Sequence, residues 1–164
     1  MAMDTLDDLE VLRLAEEVAD EIWDFVSDWN GFERRTIGSQ IVRAIDSVGA
    51  NIAEAYGRYH YGEKLQFLYY ARGSLFEAKY WINRSVKRGL MPSDVAQQLA
   101  QKLSDTAKQI NAFARYIKSK QFAAHNKTNK LRETQVEYAV SAVDDPPVFA
   151  ESDLSYLSSI PNHQ

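Results

Sequence analysis

The residues best suited to chemistry are basic side chains in the middle of the chain, where those from Arg58 to Arg88, Lys64 included, are interleaved with tyrosines. Cations bind phosphate groups and aromatic rings stack on unpaired bases, so this pattern indicates contact with RNA or DNA. The alternative is that the aromatic rings belong to a core or a subunit interface, since the sequence pI of about 5.4 lacks a basic footprint. The basic candidates are Arg43, Arg58, Arg72, Lys79, Arg84, Lys87 and Arg88.

Catalytic and metal chemistry is not indicated. The three histidines, His60, His125 and His163, lack a Glu three residues before them, so an inward Glu-x-x-His metal pair is absent from the sequence. The sequence also lacks a His-Glu-x-x-His motif, a phosphate-binding glycine loop and a Gly-x-Ser-x-Gly elbow. Glu54 and Glu77 could form a carboxylate pair, but ion pairing is the commoner role. We therefore expect no enzyme activity, no metal site and no cofactor.

The stretch from 40 to 58 has an unusual division of helical faces. One face is apolar, and a second, the polar stripe, contains Gln40, Arg43, Ser47, Asn51, Glu54 and Arg58. A third strip is small, with Gly38, Val42, Gly49 and Ala53, and would allow close helix packing. A polar stripe beside a small one favours a surface facing another subunit or a channel, although solvent is the alternative. The predicted subunit-interface residues are Gln40, Ser47, Asn51, Glu54 and Glu77.

Hydrophobic periodicity predicts four long helices, at about 7–29, 37–57, 62–88 and 93–120. Thr36 is the expected N-cap of the second helix. Gly73 interrupts the third helix, and a close helix crossing would explain it. Short connections make successive helices antiparallel neighbours, so the predicted fold is all-α, an antiparallel up-down four-helix bundle.

The chain divides at about residue 121. Residues 1–121 form the predicted bundle domain, and residues 122–164 form an acidic tail containing Pro and Ser that is flexible or docks on the bundle or on another subunit. Within the tail, 136–140 alternates and could form a weak strand. The tail holds three basic and six acidic residues.

Charge and composition bound the class of protein. Residues 1–33 carry eleven acids and one Arg, whereas residues 34–121 carry fifteen basic and six acidic residues. This asymmetry fits an anionic partner for the basic part, or oppositely charged helices lying side by side. The absence of cysteines, of a signal peptide and of a long apolar run predicts a cytoplasmic protein without membrane contact.

Two sequence blocks resemble the bacterial four-helix bundle family encoded in ribosomal RNA intervening sequences. The first block matches at Gln40, Arg43, Ala44, Ser47, Asn51, Ile52, Ala53, Glu54, Gly57 and Arg58, and the second at Ala71, Gly73, Ser74 and Glu77. Ala55 stands where the family usually has Gly. The resemblance covers about residues 7–120.

The resemblance implies a homopentameric barrel with a central channel. The family is also similar to the accessory variability proteins of diversity-generating retroelements, which are strongly basic and bind a reverse transcriptase and nucleic acid. The acidic first helix and tail depart from that basic character. The leading hypothesis is a non-enzymatic oligomeric platform for RNA or DNA and a nucleic-acid enzyme. The alternative is a protein-binding or structural assembly that uses the acidic first helix and the tail.

Overall fold

In the computed structural model, residues 9–129 form five helices and one π-helical turn. The structure describes residues 6, 9–129 and 155. The elements are α1 (Glu10–Ser27), α2 (Gly31–Glu33), a π-helical turn (Arg34–Gly38), α3 (Ser39–Gly57), α4 (Tyr61–Lys87) and α5 (Ser93–Asn129). No strand occurs among these residues.

The four long helices form a four-helix bundle. Helix α3 packs against α1 and α4, while α5 packs against α4 and α1, so the order around the bundle is α1, α3, α4, α5. Each helix therefore neighbours the next one in the chain, as the short connections predict. The all-helical bundle predicted from periodicity is confirmed.

One apolar core runs through the bundle. Large side chains from every long helix are fully buried there, among them Ile22, Ile45, Leu68, Leu75 and Leu103. The buried hydroxyls of Ser85 and Thr106 each donate to a carbonyl one turn earlier on their own helix, at 2.9 Å. The core therefore needs no polar contact between helices to satisfy these hydroxyl groups.

The second long helix begins earlier than the sequence predicts, and Thr36 is not its N-cap. Arg34 and Ser39, at the two junctions around the π-helical turn, both have right-handed helical dihedral angles, so α2, the π-helical turn and α3 are continuous. The Thr36 hydroxyl donates back to the Phe32 carbonyl at 2.8 Å, as it does inside a helix. A helical start at Gly31 follows the Asn30 position, where the backbone is extended.

Two glycines in the bundle serve different purposes. At Gly38 an added Cβ would lie 2.6 Å from Val26 Cγ1, so the absence of a side chain lets α1 and the π-helical turn meet. At Gly73 an added Cβ would meet no atom within 4 Å. The predicted helix crossing at Gly73 is therefore wrong within this chain, because that position faces outward.

The last helix is longer than predicted. α5 continues past Lys120 to Asn129, although Ile117 is the last buried one among its described side chains. Its side chains from 118 to 126 are exposed, which removes the core periodicity that would reveal the helix in the sequence. The rest of the predicted tail, including the predicted strand at 136–140, lies outside the described residues apart from Ser155.

Candidate nucleic-acid interface

Two rows of side chains face each other across the outer seam between α4 and α5. Spacings of three and four residues place each row on one side of its helix. The α4 row is Tyr69, Arg72, Phe76, Lys79, Asn83 and Lys87, and the α5 row is Ser104, Lys108, Asn111, Arg115, Lys118 and Phe122. We call this surface the α4–α5 face. It holds six cations and no Asp or Glu, so it attracts anions.

Aromatic rings support cations on this surface. The Lys118 ammonium lies 5.6 Å from the centre of the Tyr69 ring, which joins the two rows. The Arg72 guanidinium lies 5.4 Å from the centre of the Phe76 ring, within α4. Such cation–π contacts hold a charge at the surface next to a ring. A phosphate backbone and a stacked base are the ligand groups that this pairing suits.

A neighbouring acid partly neutralises the charge of one cation in the α5 row. The Lys108 ammonium lies 2.8 Å from Asp105 Oδ1, one turn away. Hydrogen bonds from Lys108 and Gln101 lower the pKa of Asp105. Arg115 and Lys118 are exposed, so we regard them as the stronger anion contacts on α5.

The seven predicted basic residues do not form one patch. Arg72, Lys79 and Lys87 lie in the α4 row, whereas Arg84 lies on the outermost line of α4 and Arg88 follows its last turn. Arg43 lies on α3 and Arg58 is the C-cap residue of α3, on the other side of α4. Arg43 donates to Gln40, and Arg58 pairs with Glu54 and lies 4.7 Å over the Phe67 ring.

Three cations of the α4–α5 face were missed by the sequence interpretation. Lys108, Arg115 and Lys118 are dispersed in sequence and lack adjacent tyrosines apart from Tyr116. Their spacing of seven and three residues on α5 is a signal in the sequence, but only the packing of α5 beside α4 joins them to Arg72 and Lys79.

The polar stripe of α3 lies along the seam with α4, where its side chains mostly bond within α3. The Asn51 amide donates to the Ser47 carbonyl, and the Ser47 hydroxyl donates to the Arg43 carbonyl, both at 2.7 Å. Glu77, on α4, accepts from the Trp81 indole at 3.5 Å. The structure thus brings the five predicted interface residues to one side of the bundle, and their contact with another subunit stays a prediction.

The outer surface of α1, away from the α4–α5 face, is acidic. The outer surface of α1 exposes Glu16, Glu17, Asp20 and Asp24, and its Arg13 is paired with Glu10 at 2.7 Å and with Glu17. Partial burial raises the pKa of Asp46 on α3, and the negative charge of Asp20 raises it further. The exposed acids of α1 and the cations of the α4–α5 face therefore lie on different sides of the bundle, although α1 and α5 are neighbours joined by the ion pair of Glu21 with Lys102. The low overall pI hides this basic face.

The described part of the chain offers neither a metal cluster nor a membrane-spanning helix. It contains no group of three or more His, Asp or Glu side chains placed to hold a metal ion. No helix within those same residues has the length and apolar character needed to span a bilayer.

The chain was compared with known protein families and with curated proteins. A family model described as 23S rRNA-intervening sequence protein matches residues 7–112, well over half of the chain, and the matched span includes both sequence blocks. No curated protein matches the chain.

Proposed function

Because the chain belongs to the 23S rRNA-intervening sequence protein family, we propose that it is a non-enzymatic cytoplasmic bundle that binds RNA or DNA on its α4–α5 face. The observation that carries the proposal is the pair of facing rows with six cations and no carboxylate, joined by the contact of Lys118 with Tyr69. Phosphate groups would contact Arg72, Lys79, Arg115 and Lys118, and unpaired bases would stack on Tyr69 and Phe76.

Single-stranded nucleic acid suits this surface better than a duplex groove does. A helix that reads duplex DNA projects side chains into the major groove, whereas the two rows here flank a seam between helices. Aromatic rings beside cations on such a surface are typical of sequence-tolerant binding to single strands. Binding should therefore depend strongly on salt and only weakly on sequence.

The platform is proposed to be a homo-oligomer, with a pentamer favoured. Gln40, Ser47, Asn51, Glu54 and Glu77 would face another subunit or the central channel. A ring of subunits would repeat the α4–α5 face around its circumference and increase affinity for a long strand. A nucleic-acid enzyme such as a reverse transcriptase is the proposed protein partner. Light scattering tests the oligomer.

The experiment measures fluorescence anisotropy of labelled 20-nucleotide RNA and DNA single strands between 50 and 200 mM salt. We expect affinity to fall with increasing salt, and Arg115→Glu with Lys118→Glu to weaken binding more than tenfold because two contacts are reversed. Arg13→Glu with Lys102→Glu is the matched control, since it also reverses two cations, both of which lie beside acids of α1. Absence of binding at 50 mM salt, or equal losses in the control, would contradict the proposal.

A second candidate function is a purely protein-binding assembly. The observation that favours it is the exposed acidic surface of α1, where Glu16, Glu17, Asp20 and Asp24 offer a basic partner four carboxylates. The tail would add further acids. If the chain is such an assembly, Arg115→Glu with Lys118→Glu would leave binding of the protein partner unchanged. Asp20→Lys with Asp24→Lys would abolish that binding.

A further inference from the structure

An open groove runs along the outside of the α1–α3 pair. Three adjoining hollows of about 700, 530 and 500 Å³ form it, and Ala50 lines all three. We call it the α1–α3 groove. On one side, its lining extends from Gly38, at the end of the π-helical turn, along α3 to the C-cap residue Arg58. This distance is about 30 Å of helix.

Small residues form the floor of this groove, and an aromatic ring stands at one end. Gly49, Ala50, Ala53 and Gly57 keep the α3 backbone accessible along its length. The Trp23 side chain, which lines the first hollow, is 59% exposed. A groove with a small-residue floor and an aromatic wall suits a helix that lies along it.

A complementary surface occurs on the outermost line of α4. Its residues recur at spacings of three and four and extend over about 27 Å, close to the length of the groove. Tyr70 and Tyr80 are 51% and 55% exposed there. We call this line the Gly73 stripe, and it consists of Gln66, Tyr70, Gly73, Glu77, Tyr80 and Arg84.

Gly73 stands at a place where its own chain does not need it. An exposed glycine inside a helix costs about 1 kcal/mol relative to alanine. Apart from the local backbone of α4, no atom of the described residues lies within 4 Å of the position that a Cβ would take. A glycine between exposed tyrosines is explained if another helix backbone approaches there, as it does at Gly38 inside the bundle.

We infer that the Gly73 stripe of one copy packs into the α1–α3 groove of the next copy. This rests on the homo-oligomer in the proposed function, and it names which surfaces meet. Because the two surfaces are different, the contact is head-to-tail, and repetition of it closes a ring or extends a filament.

Charge favours a second copy as the occupant. The middle hollow of the groove carries Glu16, Asp20 and Asp46 and no cation, while Arg34 and Arg43 line the first hollow and Glu54 and Arg58 the third. The Gly73 stripe carries Glu77 and Arg84 and runs beside the basic α4–α5 face, so both surfaces offer partners for opposite charges. Opposite charges on opposite sides of one bundle attract in a head-to-tail arrangement and repel in a like-to-like one. The outer part of the α4–α5 face, on α5, stays accessible in this arrangement.

The test uses two arginine variants that each block one surface. Ala50→Arg blocks the groove, and Gly73→Arg blocks the stripe; both positions are exposed, and Arg is a good helix former. Ala112→Arg, at an exposed alanine on α5, is the matched control. Mass is measured by light scattering, and circular dichroism melting checks that each variant is folded. Tyr80→Arg provides a second block of the stripe.

Each single variant is expected to be monomeric, and an equimolar mixture of the two to form a heterodimer of about 37 kDa, twice 18.7 kDa. The intact stripe of the Ala50→Arg copy can enter the intact groove of the Gly73→Arg copy. The remaining groove and stripe of this pair are both blocked, so association stops at two subunits. A monomeric wild type would overturn the inference together with the proposed oligomer. A wild-type oligomer that survives both variants, or variants that do not associate when mixed, would overturn the inference alone.

Discussion

The Lys64 ammonium donates a hydrogen bond to the Tyr56 carbonyl at 2.7 Å, and it also donates to the Ala55 carbonyl at 3.3 Å. These carbonyls belong to the last turn of α3, whereas Lys64 lies in the first turn of α4. Burial lowers the pKa of Lys64. The positive charge at the negative end of α3 offsets that cost and fixes the turn between the two helices.

Removal of this contact should destabilise the bundle. Lys64→Met keeps the length and apolar stem of the side chain but leaves two carbonyls without their donor, so the free energy of unfolding should fall by about 1 kcal/mol. Urea unfolding measures the change. Lys108→Met is the control, because Lys108 pairs only with an exposed acid one turn away. Equal effects of the two substitutions would show that Lys64 does not cap α3.

A methyl group at Gly38 should be costly. Gly38→Ala places a Cβ 2.6 Å from Cγ1 of the buried, β-branched Val26, so the two helices must separate. The free energy of unfolding should fall by about 1–3 kcal/mol. Combination with Val26→Ala should recover part of the loss, and a double-mutant cycle measures that coupling. Strict additivity of the two substitutions would contradict the contact.

The ionisation of Asp46 should make stability depend on pH. Its raised pKa means that the folded chain retains a proton which the unfolded chain releases, so stability falls as pH rises from the ordinary pKa through the raised one. Asp46→Asn should raise the melting temperature at pH 7 and have no such effect near pH 2.5, where the carboxyl is neutral in both states. Asp24→Asn, at an exposed acid of α1, is the control. A higher melting temperature of Asp46→Asn that persists near pH 2.5 would show that the effect does not come from the charge of Asp46.

Thr36→Ala distinguishes a helix interior from a helix start. Loss of an N-cap costs about 1 kcal/mol. Because Thr36 lies within the π-helical turn and bonds back to Phe32, its replacement should change the free energy of unfolding by less than about 0.5 kcal/mol. Chemical denaturation gives the difference, and a loss near 1 kcal/mol would restore the N-cap interpretation.

Truncation tests the boundary of the bundle domain. A chain ending at Gln121 keeps Ile117, the last of the described α5 side chains to be buried, and removes only exposed ones among those described. Its melting temperature should lie within about 2 °C of the full chain. A chain ending at Phe113 loses buried Ala114 and Ile117 and should lose about 3 kcal/mol or more. If the chain ending at Gln121 melts as early as the chain ending at Phe113, the tail belongs to the core.

Much of the fold was predictable because hydrophobic periodicity reports burial directly. The buried residues of α3, such as Ile41, Ile45, Val48 and Ile52, are those of the apolar stripe. Errors arose where burial gave no signal. The π-helical turn joins α2 to α3 without a change of period, and the exposed end of α5 has no apolar repeat to extend the prediction.

The candidate site was predictable only in part. Arg72, Lys79 and Lys87 belong to the α4–α5 face as well as to the predicted basic set. Arg43 and Arg58 are also cations, but they belong to the polar stripe along the α3–α4 seam, away from the α4–α5 face. Arg58 pairs there with Glu54. Residue type predicts affinity for phosphate, but it does not predict which cations share a surface, since that depends on how each helix is rotated in the bundle.

By itself the sequence determined the four helices, their antiparallel order and the family, because these depend on periodicity, connection length and two motifs. Only the tertiary structure decided that Gly38 meets α1 while Gly73 faces outward. It alone also joined Lys118 to Tyr69. The physical reason is that helical spacing defines the faces of one helix, whereas packing against the neighbouring helices selects which faces are buried, paired or left exposed.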